Sequence, residues 1–138
     1  MTIILPSPPD EVPPGYISAE LAILRDQTLW FIEANPIDLI VTPTQRVKTQ
    51  SGAVKRQNLA ARPVQRLRLI SMSASQKPKI TDDGVEREID LTLLGPFNAQ
   101  LDVGDWWRDG EGLLYEIVEM VPFNGYEVRA LVVKSGHG

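Results

Sequence analysis

The residues best placed to do chemistry in this chain are cations. From Gln45 to Arg68, QRVKTQSGAVKRQNLAARPVQRLR, the sequence holds seven of them, Arg46, Lys48, Lys55, Arg56, Arg62, Arg66 and Arg68, and not one carboxylate. The acid-free window is longer still. It runs for 43 residues from Leu39 to Thr81, takes in Lys77 and Lys79 as well, and so carries nine of the fourteen Lys and Arg residues. All eighteen carboxylates lie outside it. The window is at +9 and the remainder at −13, within a net charge of −4. Such a block can bind a polyanion by displacing counterions from its phosphates. It can equally dock on an acidic protein surface, including that of a second copy of the chain. The bland reading, a solvated basic loop, is weakened by the length of the run.

Other chemistries find little to build with. There is no Cys, which removes disulfides, thiolate metal sites and a thiol nucleophile together. The single His is His137, one residue from the end, so neither a catalytic triad nor a site needing several imidazoles can be assembled. Asp82-Asp83-Gly84 has the look of a paired-acid site, but Asp and Gly are also what turns require, and the turn reading is preferred. Gly104, Gly110 and Gly112 lack the spacing and the following helix of a phosphate cradle. Trp106-Trp107 places neighbouring rings on opposite faces of a strand, one for the core and one exposed for a subunit contact or base stacking. No enzyme, cofactor or metal is expected. No apolar run approaches the ~20 residues that span a bilayer, and MTIILPSPPDEVPPG lacks the basic start of a secretion signal.

The elements that must position these residues follow from periodicity. Residues 1–17 form an arm with five prolines between positions 6 and 15, which favours extended backbone, lying on a neighbour or free. A single domain is expected over 18–138. It opens with a helix over 19–34, capped by Ser18, with Leu21, Leu24, Thr28, Phe31 and Ile32 on one face and Trp30 at the edge of that face, in the core. Asn35-Pro36 stops it. The period then changes to two. Strands are expected at 37–42, 64–72, 85–94, 106–107, 113–121 and 126–134, the last two joined by a tight type I′ turn at Asn124-Gly125. The stretch between the first two strands is either a long hairpin or an extended loop. Arg66 and Arg68 share a strand face and make a cationic ridge. The sum is a mostly β chain: one N-terminal helix, then a small antiparallel, SH3-like β-barrel over 37–134, with a long basic loop between its first two strands.

In this order the residues resemble a known family. The basic loop with TQSGA, the strand PVQRLRLI, then DDGVEREIDLTLLG, then VGDWWRDGEGLLYEIVEMVPFNGYEVRALVV are similar to the head-closure, or head-to-tail stopper, proteins of long-tailed bacteriophages. The likeness covers about Ser18 to Lys134 and is carried mostly by the last third, through Gly104-Asp105, Tyr115 to Val118, and Asn124 to Val133. It implies a non-enzymatic virion protein at the head–tail interface, assembled in the host cytoplasm into a homo-oligomeric ring, a hexamer in the expected case. Portal and adaptor proteins would lie above the ring, and the tail terminator and tail tube below. Packaged double-stranded DNA would run through the channel, with no membrane involved. Arg46, Lys48, Lys55, Arg56 and Arg62 would meet DNA or a neighbouring subunit. Trp106, Trp107, Arg66 and Arg68 would serve an interface. A tail terminator or adaptor of the same connector, and a monomeric nucleic-acid-binding barrel, are the rival expectations.

Overall fold

The computed structural model describes residues 17–71, 79–82 and 85–135. The prolines of the arm, His137 and the Asp83-Gly84 pair lie outside the described residues. The helix α1 spans Ala19–Ala34. Ser18 caps it as expected: its Oγ accepts from the Leu21 N–H at 3.1 Å, which satisfies one of the donors that a helix start leaves unpaired. Thr28 and Ile32 are its buried residues, and the Thr28 hydroxyl donates to the Leu24 carbonyl.

Ten strands follow. They are β1 (Ile37–Leu39), β2 (Thr44–Lys48), β3 (Val54–Asn58), β4 (Gln65–Ser71), β5 (Lys79–Asp82), β6 (Val85–Glu88), β7 (Leu91–Pro96), β8 (Trp106–Arg108), β9 (Leu114–Met120) and β10 (Glu127–Ser135). Six of them form one antiparallel sheet in the order β1-β4-β7-β10-β9-β8, while β2-β3 and β5-β6 are separate two-stranded ribbons. The mostly β architecture with a leading helix is therefore the one the periodicity implies.

Alternation fills the barrel. Leu39, Val41, Leu67, Leu91, Leu93, Trp107, Tyr115, Ile117, Ala130 and Val132 meet inside it, and the Trp107 and Tyr115 rings, cross-strand partners, stack with centroids 5.2 Å apart. The strand β7 is buried on both sides. Leu91 and Leu93 enter the barrel, and Leu94 lies on the other side beside Thr28 and Phe31 of α1.

Three local readings change. The expected strand 85–94 is broken at Ile89-Asp90, because Asp90 turns its backbone N–H to the Val132 carbonyl and its carboxylate to the Lys134 N–H. The connection expected between the strands 64–72 and 85–94 contains β5, registered so that Asp82 faces Val85. The β9–β10 connection is six residues, Val121 to Tyr126, rather than a two-residue turn. Asn124 closes it with its side chain, Oδ1 accepting from the N–H groups of Tyr126 and Glu127, and Gly125 at φ +93° receives Leu21 of the helix against its open face.

The two edges of the sheet meet at one point. Thr42 and Trp106 exchange backbone hydrogen bonds of 2.9 and 3.1 Å. Beside this bridge the Arg62 guanidinium grips Asp105, Nε to Oδ2 at 2.9 Å and Nη2 to Oδ1 at 3.2 Å. Asp105 is 1% exposed and the Arg62 side chain 25%. The same carboxylate accepts from the Asp102 N–H, and the Arg62 N–H donates to Val41 O. Removing the guanidinium leaves a buried charge with one remaining backbone donor, and breaking such a pair from one side is strongly destabilising. Arg62→Ala is expected to cost about 3 kcal/mol in chemical denaturation. A loss below about 1 kcal/mol, the level of an exposed pair, would show that the closure does not depend on it.

Candidate functional site

The basic stretch is a β-ribbon rather than an irregular loop. Strands β2 and β3 pair Thr44 with Asn58, Gln45 with Gln57, Arg46 with Arg56, Val47 with Lys55, and Lys48 with Val54. The turn between them is held by Thr49 N–H to Ala53 O at 2.8 Å and Gly52 N–H to Thr49 O at 2.9 Å. Directly opposed residues of an antiparallel pair share a face. Thr44, Arg46, Lys48, Val54, Arg56 and Asn58 thus form one face, and Gln45, Val47, Lys55 and Gln57 the other. All five residues of β3 are exposed.

The first face is tied to the barrel at its root. Thr44 Oγ1 donates to the Gly104 carbonyl at 2.9 Å, and the Trp106 indole N–H donates to Asn58 Oδ1 at 3.2 Å. Gly104 sits at φ +93°, and a Cβ there would lie 2.6 Å from Thr44 Oγ1, so both its backbone and the approach of Thr44 demand glycine. Farther along, Arg56 forms an ion pair with Glu116 of β9. Arg46 stands directly opposite Arg56. Like charges in that position repel, and Glu116 offsets the repulsion.

The expected site residues therefore divide. Arg46, Lys48, Lys55 and Arg56 are on the ribbon, and all four are exposed. Lys48 and Lys55, nearest the turn, make no ion pair among the described residues. Arg62 is in the closure of the barrel, bound to Asp105. Arg66 and Arg68 leave the sheet on one side, as their spacing implies, but they do not form an open ridge. Arg66 bridges to Glu33 of α1 at 2.9 Å and Asp38 of β1 at 3.3 Å. Arg68 lies over the Phe31 ring at 3.9 Å and donates to the Phe31 carbonyl. These cations hold the helix on the barrel. Trp107 is core, whereas Trp106 is partly covered beside the ribbon, its indole N–H bonded to Asn58.

Two further features escaped the sequence reading. Glu116 is one acid among many on alternating strands, and nothing in its spacing marks it as the ribbon's partner. Trp30, read as core, is 75% exposed. It borders an apolar groove of about 600 Å³ between α1 and β10, shared with Leu24, Phe31, Leu94 and Tyr126. The face expected from the period holds at Thr28 and Ile32, but the helix also carries apolar residues off it, with Ile23 and Leu29 exposed as Trp30 is.

No group of His, Cys, Asp or Glu among the described residues could hold a metal ion, and no described helix is long and apolar enough to cross a membrane. No protein-family model and no curated protein matches the chain.

The turn between β8 and β9 carries the shifted ionisations. At Asp109, partial desolvation disfavours the charge, but hydrogen bonds from the Tyr115 hydroxyl at 2.9 Å and from backbone N–H groups of Glu111, Leu113 and Gly112 outweigh it, holding the carboxyl below its ordinary range. Burial first, then the bond and charge of Asp109 and the charge of Glu111, push Tyr115 up. The Asp109 contribution to stability is complete above the unfolded pKa of about 3.9 and is lost as pH falls through the lower folded value. That of Tyr115 is complete below the unfolded pKa of about 10 and is lost as pH rises through the higher folded value. The stability difference between wild type and Tyr115→Phe should therefore be largest between these limits and shrink outside them on both sides. Thermal melts across pH 3 to 11 check this, and a difference independent of pH contradicts it.

Proposed function

We propose that this chain is a structural head-to-tail stopper of a long-tailed phage connector. It would form a ring below the portal and adaptor, with the tail terminator and tail tube beneath, and help to retain packaged double-stranded DNA. The observation that carries the reading is the β2–β3 ribbon. It gathers four of the chain's cations on a two-stranded arm that contributes nothing to the barrel core. Repeated around a ring, such arms place several cations per copy along the phosphates of a duplex, which binds through counterion release. The three inner cations, Arg62, Arg66 and Arg68, hold the scaffold, so among the cations from Gln45 to Arg68 those of the ribbon are the ones placed to meet DNA.

Ring assembly has its own support. Trp30, Phe97 and Phe123 are large apolar side chains left exposed on a single copy, and exposed apolar surface beside a groove suits contact between subunits. The rival monomeric nucleic-acid barrel is less favoured, because Trp107 is core and Trp106 is only partly exposed beside the ribbon, which limits the ring face open to a base.

Two expected outcomes test this. Charge reversal at the ribbon end, Lys48→Glu with Lys55→Glu, should leave the thermal stability of the monomer nearly unchanged. It should lower the salt dependence of duplex binding by about two phosphate contacts and cut DNA retention in particles. Normal DNA retention and infectivity in particles built from the double mutant would reject the ribbon as the DNA contact. Trp30→Ser should preserve the fold by circular dichroism while weakening the ring in light scattering. Tight, salt-dependent duplex binding by a strict monomer, with no ring at any concentration, would favour the rival barrel.

A further inference from the structure

Three of the side-chain contacts that fix the ribbon to the barrel are of unequal kind. Two are neutral hydrogen bonds at its root, Thr44 to Gly104 and Trp106 to Asn58. The third is the Arg56–Glu116 ion pair, farther out. Its two ends differ in exposure: the Arg56 side chain is 49% exposed and that of Glu116 14%. The cation can thus be approached from solvent while the carboxylate stays on the barrel wall. Arg46 stands on the same face directly across from Arg56, and with Thr44, Gly104 and Glu116 the two arginines border a small cleft of about 90 Å³ between ribbon and wall. Two arginines on one face bordering a cleft, one of them already on a carboxylate, are suited to a phosphodiester, whose paired oxygens accept the forked donors of arginine as a carboxylate does.

We infer that Glu116 is an internal stand-in for phosphate. It holds Arg56 against the barrel in the free chain and surrenders it to a phosphate of the nucleic-acid backbone, so that the Arg46–Arg56 face becomes a phosphate site only when DNA arrives. This rests on the ribbon being the polyanion contact proposed above. The exchange is cheap, because a pair with a half-exposed cation contributes little. It also serves assembly, since a ring of uncompensated ribbons would repel itself before DNA enters.

The test measures binding of the full chain to a 30-base-pair duplex over a range of salt. Glu116→Gln should bind about threefold tighter than wild type. Glu119→Gln removes the same charge from an exposed position on the same strand, away from Arg56, and should shift affinity far less. With Arg56 already replaced by Gln, the gain from Glu116→Gln should fall well below its gain in the wild-type background. Arg56→Gln alone keeps the wall intact and should lower the salt slope by about one. An equal gain from Glu119→Gln shows general electrostatics and overturns the proposal. An unchanged slope in Arg56→Gln shows that Arg56 stays on Glu116 and overturns it too, while leaving the ribbon's DNA contact standing. Failure of wild type and every variant to bind duplex, as monomer or as ring, removes the DNA reading itself.

Discussion

The Arg62–Asp105 pair is the constraint on which this fold turns. A six-stranded sheet with short edge strands has little to keep its first and last strands together. Here they share the Thr42–Trp106 bridge, and the Arg62 guanidinium spans the same junction. Asp105 is almost completely buried, so its charge is tolerable only because two guanidinium nitrogens and one backbone N–H converge on it. The bridge also decides where the ribbon starts and ends. Pro43 follows Thr42 directly, and its carbonyl accepts from the Leu59 N–H at the end of β3. Closing the barrel and rooting the ribbon are one event.

Seen from that junction, the segregated charge has two roles rather than one. The inner cations neutralise acids of the helix and barrel: Arg62 meets Asp105, and Arg66 meets Glu33 and Asp38. Such pairs are individually weak where exposed, but Arg68 adds a ring face and a carbonyl on the same helix, so α1 is held at several points. On the outer ribbon Arg56 meets Glu116, while Lys48 and Lys55 make no ion pair among the described residues. This explains how an acidic chain can hold a strongly basic segment without a uniformly basic surface.

Much of the architecture was legible in the sequence. The helix limits, its Ser18 cap, the in-and-out alternation of Leu67 against Arg66 and Arg68, and the burial of one ring of the Trp106-Trp107 pair follow from local periodicity and capping chemistry, though not which of the two rings. Features that depend on distant partners were not legible. The Arg62–Asp105 contact spans 43 residues and Arg56–Glu116 spans 60, and no local pattern couples such positions. The period chose the face that Thr28 and Ile32 bury, but Trp30 was misplaced because the helix also carries Ile23, Leu29 and Trp30 off that face, where they are exposed. The Asn124-Gly125 signal identified a chain reversal but not its length, since the Asn124 side chain took over the hydrogen bonding that a two-residue turn would have supplied from backbone.

Because β2 and β3 lend no side chain to the interior of the barrel, the ribbon behaves as an interchangeable attachment. Its reach can be shortened or lengthened by whole cross-strand pairs, at about 3.4 Å for each pair, with neither the strand register nor the junction beneath it altered. One scaffold of this kind can therefore carry arms of different length by changing only the number of such pairs, much as one handle takes blades of several lengths.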